Sequence, residues 1–456
     1  MELNGKTVIV MGAGKSGIAA AKLLLQVGAF PVIYDQNEKL DVAALRQQFT
    51  KEIAICAGTL EQEYEQAACL LVMSPGIPVD TDFVEGFRKR GIPVWGEIEL
   101  AYRYAKGRLI AITGTNGKTT TTALTGKIMQ DWYERSGREG KVYVAGNIGD
   151  PYTDIALLTK EGDTTVLEVS SFQLETIDAF HPEISAILNI TPDHLNRHHT
   201  MENYAACKFA VTKNQTPEEV CVLNGEDAWL QGFVREGKCA CRPVYFDSAK
   251  PVVGGYWQEG KEIFSSFAEK KRLMNIHEMK LLGTHNVENV MAAIAMADAA
   301  GVPMESILQS VRDFTAVEHR IEYTATVDGV DYYNDSKGTN PDAAIKAVQA
   351  MVKPTVLIGG GYDKQNTYDE WIESFGDKVR CLLLLGQTRE KIEACAHQHG
   401  FLNTVLVESM EEAVSKAHEL AEPGWAVLLS PACASWGMFQ NYEERGRIFK
   451  ELVRKL

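Results

Sequence analysis

Residues 109–124, "LIAITGTNGKTTTTAL", run an apolar strand straight into a turn of glycine, threonine and asparagine that carries one lysine. No other stretch constrains the fold as much. A strand that ends on a Gly-rich turn and restarts as a helix aims several backbone N–H groups at one spot, where a phosphate can sit, and such units build parallel sheets. Gly114 and Gly117 stand closer together than the glycines of a standard phosphate loop. Lys118 can neutralise phosphate oxygens and Thr119 can offer its hydroxyl to Mg2+. The alternative, a threonine-rich helix cap, needs neither Lys118 nor the strand upstream.

The rest of the chain repeats the alternation of strand and helix. "TVIVMG" (7–12), "PVIYD" (31–35) and "LLVMS" (70–74) are short apolar runs, and 91–108 reads as a last strand with a connecting helix. After the opening stretch come "KVYVAG" (141–146), "TTVLEVS" (164–170), "ISAILNI" (184–190) and "VCVLN" (220–224), then a helix over 285–301. From residue 316 the chain offers a hairpin around Asp328-Gly329, a helix opening on Pro341, and strands at 354–360, 381–386 and 425–430. This alternation predicts α/β domains with mostly parallel sheets. At roughly 150 residues per domain, a chain of 456 residues makes three. We expect a Rossmann-like domain over 1–95, a central P-loop ATPase-like domain over 96–315, and a second Rossmann-like α/β domain over 316–456.

Composition narrows the partners. A net charge of −15 disfavours nucleic acid, which needs a basic surface. The densest apolar run, "CLLLLG", has the length of a buried strand rather than a membrane span. The opening "MELNGKTVIVMG" goes directly into a strand and lacks the basic start and cleavage site of a signal peptide. Nine scattered cysteines read as reduced thiols of a cytoplasmic protein, and Cys239-x-Cys241 alone is weak support for a metal.

Individual motifs suggest chemistry. "MGAGKSG" (11–17), with Asp35 closing the next strand, fits a dinucleotide fingerprint; the glycines serve equally well for tight strand-to-helix packing. Glu168 ends a buried-looking strand, where a carboxylate is costly unless paired or bound to a metal, and a magnesium ligand is the natural reading. Asp193 and His194 emerge at the same rim. Lys208, in the amphipathic "ENYAACKFAVTK", reads as an ordinary exposed lysine. Arg320, Asp335 and Lys337 flank the late hairpin, where Asp335 either caps a turn or binds a ribose. "LSPACASWGMFQNYEERGR" (429–447) has small residues that let a ligand approach the backbone.

Together these motifs resemble the Mur ligases, ATP-dependent amino-acid adders of peptidoglycan synthesis. "GTNGKTT" looks like that family's own phosphate loop, which accounts for the short glycine spacing. "SSFQLE", "NDSKGTNPDA" and "SPACAS" followed by Phe and Arg-Gly are similar to the signatures of its D-glutamate-adding branch, and the resemblance runs nearly end to end. It implies an acyl phosphate made from UDP-N-acetylmuramoyl-L-alanine and ATP, then attack by D-glutamate. It further implies that Gly114, Thr115, Asn116, Gly117, Lys118, Thr119 and Thr120 hold ATP phosphates. Asn289 and Arg320 would lie on the adenine side, Asp335 at the ribose and Lys337 near the phosphates. Two Mg2+ ions would be held by Thr119, Glu168, His194 and a carbamylated Lys208. Ser16, Asp35 and Gly76 would bind the uridine diphosphate in place of a nicotinamide cofactor, and Asn147, Ser170 and Gln173 the muramoyl-alanine portion. Thr339, Lys364, Ser435 and Tyr442 would position D-glutamate, with Gly437 standing where the family usually has aspartate. A monomer that closes its domains over ATP is the implied working form.

Overall fold

The apolar runs fold into three separate β-sheets in the computed structural model, which describes residues 1–147, 149–267, 269–315 and 318–456. Residue 316, where the sequence begins the third domain, lies outside the described residues. The chain forms two compact units, one of Met1–Asn275 with Glu288–Val311, the other of Ile276–Val287 with Arg312–Leu456.

In the first unit, β1 (Thr7–Met11), β2 (Phe30–Asp35), β3 (Ala54–Ala57), β4 (Ala68–Met73) and β5 (Val94–Gly96) pair in the order β3-β2-β1-β4-β5, all parallel. Valine, isoleucine and leucine fill them because both faces are covered. The chain leaves β1 toward β2 and later returns to its other side at β4, so a crevice opens at the C-terminal ends of β1 and β4. The helix Lys15–Gln26 follows β1 closely: a Cβ on Gly17 would come within 2.0 Å of the Gly12 carbonyl oxygen. The packing role of this glycine, weighed in the sequence, is therefore real.

The helix Glu97–Tyr102 buries Ile98, Leu100 and Ala101 in a core that continues into the second sheet. That sheet contains β6 (Arg108–Thr113), β7 (Val142–Gly146), β8 (Thr164–Glu168), β9 (Ile184–Ile187), β10 (Val220–Asn224), β11 (Arg242–Asp247), β12 (Gly255–Glu259), β13 (Glu262–Ser266) and β14 (Lys270–Asn275). Its order is β14-β13-β12-β11-β10-β9-β6-β8-β7, parallel from β7 to β12 and antiparallel at β12-β13-β14. Since β6 lies between β8 and β9, the loops after these three strands meet at one rim. The strands β11 to β14 were not anticipated from the sequence; "GYWQE" is short with a polar end, and "KKRLMN" opens on three exposed cations.

The second unit builds β15 (Glu322–Val327), β16 (Val330–Asn334), β17 (Thr355–Gly359), β18 (Val379–Leu384), β19 (Thr404–Leu406) and β20 (Ala426–Leu429) into a sheet ordered β15-β16-β20-β17-β18-β19. Only the β15–β16 pair is antiparallel, joined by Asp328 (φ 49°) and Gly329 (φ 80°) as the sequence predicts. Asn340 caps the helix Pro341–Ala350 by accepting the Ala343 N–H. Separate apolar clusters cover the two faces of the sheet.

Candidate active site

The loop after β6 is held by its neighbours rather than by itself. The Thr115 N–H donates to the Asn189 carbonyl (2.9 Å), and the Asn116 N–H to Asn189 Oδ1 (2.8 Å). Gly114 and Gly117 have φ of 146° and 85°, a region that L side chains rarely adopt. A Cβ on Gly117 would also lie 2.2 Å from Asn289 Oδ1. Gly117 then starts the helix Lys118–Ser136, in which Thr119 and Thr120 are buried. Lys118 Nζ folds back to donate to the Gly114 and Thr115 carbonyls, both at 2.8 Å.

Lys208 overturns the reading of an exposed lysine. It is 1% exposed, on the inner face of the helix Met201–Phe209, and its Nζ donates to the same Gly114 carbonyl at 2.8 Å. The Tyr204 ring lies 4.6 Å from that nitrogen, and the Tyr204 hydroxyl is 3.1 Å from Thr115 Oγ1. Burial, reinforced by the nearby Lys118 charge, drives the Lys208 pKa well below the usual lysine range. Two amines therefore converge on one carbonyl at the head of the loop.

Glu168 ends β8 beside the loop, its register partner on β6 being Ile112. It is 1% exposed; Oε1 accepts from Asn147 Nδ2 (2.8 Å), while Oε2 has no hydrogen-bond partner among the described residues. A buried carboxylate oxygen left this way fits a cation. His194, with φ of 53°, sits half-exposed after β9, its ring 4.8 Å from Phe172. The next turn supplies His198, which the sequence did not single out. It is buried, with Nε2 3.0 Å from Ser171 Oγ and Nδ1 3.4 Å from Glu175, and burial pushes its pKa down to about 4.

Ser170 and Gln173 form a capping box on the short helix Ser171–Leu174, and Gln173 Nε2 donates to buried Glu97 (2.7 Å). At the first sheet, Asp35 grips backbone: Oδ2 accepts the Ala13 N–H and Oδ1 the Asn37 N–H, both at 2.9 Å. Ser16 lies in the first turn of the helix after β1, and Gly76 is exposed after β4. These two positions flank the β1/β4 crevice.

In the second unit, Asp335 follows β16 and is 5% exposed, accepting from Ser430 Oγ (2.7 Å) and the Ile321 N–H (3.3 Å). Burial raises its pKa to about 7, against the pull of the Ser430 hydrogen bond and the Arg320 charge. Arg320 Nε is buried without a partner among the described residues. Lys337 Nζ stands 5.1 Å from the Tyr442 ring, and the Ser336 hydroxyl donates to the Tyr442 carbonyl (2.8 Å). Arg445, which the sequence did not single out, is 1% exposed and donates to Ser336 Oγ, the Ser336 carbonyl and the Cys433 carbonyl. Thr339 continues this loop, Ser435 is buried after β20, and exposed Lys364 stands over Trp436 at 5.7 Å. Gly437 has φ of 86° with open space around it, so an aspartate there would be strained.

Comparison with known proteins meets this geometry. Residues 6–96 match the description "Mur ligase MurD-like, N-terminal domain", 112–297 "Mur ligase middle domain", and 319–433 "Mur ligase, glutamate ligase domain". A UDP-N-acetylmuramoylalanine–D-glutamate ligase of Lachnospira eligens is 54% identical over 100% of both chains. The chain is a Mur ligase. A second such ligase, from Lachnoclostridium phytofermentans, is 50% identical over 100% of this chain and 99% of its own. Among solved structures, the UDP-N-acetylmuramate-alanine ligase of Thermotoga maritima superposes with a TM-score of 0.61 at 18% identity, covering 98% and 99% of the two chains. The MurF ligase of the same organism, solved in complex with ADP, gives 0.59 at 16% identity over 100% and 96%. Like other Mur ligases, the chain is an ATP-dependent ligase of three α/β domains, and the glycine-rich turn after β1 belongs to the MurD-like part rather than to a dehydrogenase.

Proposed function

We propose that this Mur ligase joins D-glutamate to UDP-N-acetylmuramoyl-L-alanine at the expense of ATP, as a cytoplasmic monomer in peptidoglycan precursor synthesis. The observation that carries the reading is end-to-end identity of 54% with a ligase named for that reaction. The geometry around Gly114 supports it. No helix among the described residues is long and apolar enough to cross a membrane.

We assign Gly114 to Thr120 to the ATP phosphates. Lys118, already turned over the loop, would stabilise charge on the transferred phosphoryl group. Glu168, Thr119, His194 and Lys208 would hold Mg2+, the unpartnered Glu168 Oε2 being the donor that fits best. Magnesium would supply charge neutralisation at the phosphoryl oxygens. As an amine Lys208 is a poor ligand for Mg2+; carbamylated, it would become a carboxylate-like one, in a position shielded from water by its burial. Asn147, Ser170 and Gln173 would orient the muramoyl-alanine end so that its carboxylate attacks the γ-phosphate in line. Ser16, Asp35 and Gly76 would hold the uridine diphosphate, Asp35 by fixing the Ala13 turn. Asn289, Arg320, Asp335 and Lys337 would bind the rest of ATP, and Thr339, Lys364, Ser435 and Tyr442 D-glutamate. The amine of D-glutamate then displaces phosphate from the acyl carbon. The domain bounds 1–95, 96–315 and 316–456 divide these tasks.

The test is phosphate release that requires both UDP-N-acetylmuramoyl-L-alanine and D-glutamate. L-lysine, meso-diaminopimelate or L-alanine replacing D-glutamate with equal efficiency would refute the assignment. Lys118→Ala should lower turnover about a thousandfold or more while leaving the circular dichroism spectrum unchanged.

A further inference from the structure

Close to Lys208 stands a group of side chains that the chemistry above leaves unused. Glu175 closes the short helix Ser171–Leu174, His198 ends the helical turn Leu195–His198, and Cys207 lies on the helix Met201–Phe209, next to Lys208 in the chain. Three separate elements thus bring a carboxylate, an imidazole and a thiol together, with one atom of each within 4.8 Å of the others. His198 is 4% exposed and the Glu175 side chain 9%. Cys207 is half-buried.

The distances match a coordination shell. His198 Nδ1 stands 3.4 Å from Glu175 Oε1 and 3.6 Å from Cys207 Sγ. Around a tetrahedral Zn2+, with bonds of roughly 2.0 Å to nitrogen and oxygen and about 2.3 Å to sulfur, the same edges are about 3.3 Å and about 3.6 Å. An ion would therefore enter with little displacement of these two pairs. His198 is oriented from its far side: Nε2 lies 3.0 Å from Ser171 Oγ, and the Phe172 ring stacks on the imidazole at 5.4 Å. A ligating histidine ordinarily gives its second ring N–H to such an oxygen, which fixes the ring and leaves the first nitrogen bare. Glu175 keeps Oε2 on Arg197 Nη2 at 2.6 Å, while only a long 3.4 Å contact from Arg197 Nε reaches Oε1. Oε1 is the oxygen placed for a metal.

The donor types choose the ion. Mg2+ and Ca2+ take oxygen ligands, whereas a thiol with an imidazole suits thiophilic divalent cations. We propose that Glu175, His198 and Cys207 form a binding site for a divalent cation of the Zn2+ class, separate from the magnesium positions assigned above. On binding, the Cys207 S–H bond breaks, its electron pair forms the bond to the metal, and the proton passes to solvent. Thiolate and carboxylate then match the 2+ charge, His198 Nδ1 is the third ligand, and water takes the fourth position. The bound ion would tie the helix carrying Lys208 to the loops that carry Glu175 and His194.

Cobalt tests it, because Co2+ accepts the same ligands as Zn2+ and reports them by its colour. Full-length protein, stripped with a chelator and returned to saturating Mg2+, is titrated with Co2+. The parent should develop a thiolate-to-cobalt charge-transfer band in the near ultraviolet, with the visible bands of a tetrahedral ion, and Zn2+ should bleach both. Cys207→Ser should lose the charge-transfer band. Cys239→Ser, at a thiol pair 3.5 Å apart elsewhere in the same unit, should keep it. No band in the parent, a band that survives Cys207→Ser, or one lost in Cys239→Ser overturns the proposal. If Cys207→Ser does not fold, His198→Asn decides. Co2+ affinity lowered about tenfold or more, the loss that even an indirect partner of a metal causes, supports the site, and a smaller change refutes it. The readout is an absorption band, so it holds or fails apart from the ligase reading, whose own failure would show as absent phosphate release in the parent enzyme.

Discussion

Gly117→Ala should destabilise the protein by about 2–3 kcal/mol, and the structure says where each part arises. At φ of 85° an L side chain costs roughly 1–2 kcal/mol. The added Cβ would also stand 2.2 Å from Asn289 Oδ1, where ordinary contact begins at 3.4 Å. Asn289 must retract, and the hydrogen bond it accepts from Thr121 Oγ1 (3.3 Å) is lost, worth about 1 kcal/mol. Gly137, at the other end of the same helix, is the internal control: it has φ of 64° with nothing within 4 Å of its added Cβ. Gly137→Ala carries the backbone cost alone. Urea unfolding followed by circular dichroism measures both, and a double-mutant cycle with Asn289→Ala isolates the clash. In that background Gly117→Ala should cost no more than Gly137→Ala. Equal costs for the two alanines in the parent protein, or a Gly117→Ala cost unchanged by Asn289→Ala, would refute the idea that Asn289 sets the glycine requirement.

Lys208→Ala should abolish phosphate release and regain part of it with a short carboxylic acid; full activity without additive would sink the carbamate reading. Neutral His198, its pKa lowered to about 4, takes up no proton where the unfolded chain does, so it subtracts stability as pH falls from 6.5 toward 4. His198→Asn should therefore gain on the parent protein between pH 7 and 5 in denaturant titrations, and a constant difference would contradict this. Gly437→Asp should cost about 1 kcal/mol through left-handed strain in unfolding experiments; an unchanged midpoint would show that the loop readily refolds around it.

The sequence made the strand–turn–helix around Gly114–Gly117, the Asp328-Gly329 hairpin and the Asn340-Pro341 helix start legible because each depends on residues a few positions apart. Lys208 shows where such reading stops. In an amphipathic helix it is indistinguishable from a solvated lysine, and what buries it is a carbonyl 94 residues away in sequence. Arg445 and Glu97 escaped for the same reason, since their partners Ser336 and Gln173 are distant in sequence. Glu168 was legible because a carboxylate closing an apolar strand is already anomalous before any partner is known. Strands β13 and β14 were missed because their polar faces mask the period-two signal.

The nine-stranded sheet ends on β14, whose outer backbone groups no further strand among the described residues covers. That edge carries Lys270, Lys271 and Arg272 in succession, all exposed, with Lys270 and Arg272 tied to Glu259 and Glu262. A second copy docking its own β14 there would bring Lys271 against like charge and crowd the ion pairs of Lys270 and Arg272. Long charged side chains on an edge strand are a device that discourages pairing with another chain, and here they stand on the molecule's longest sheet.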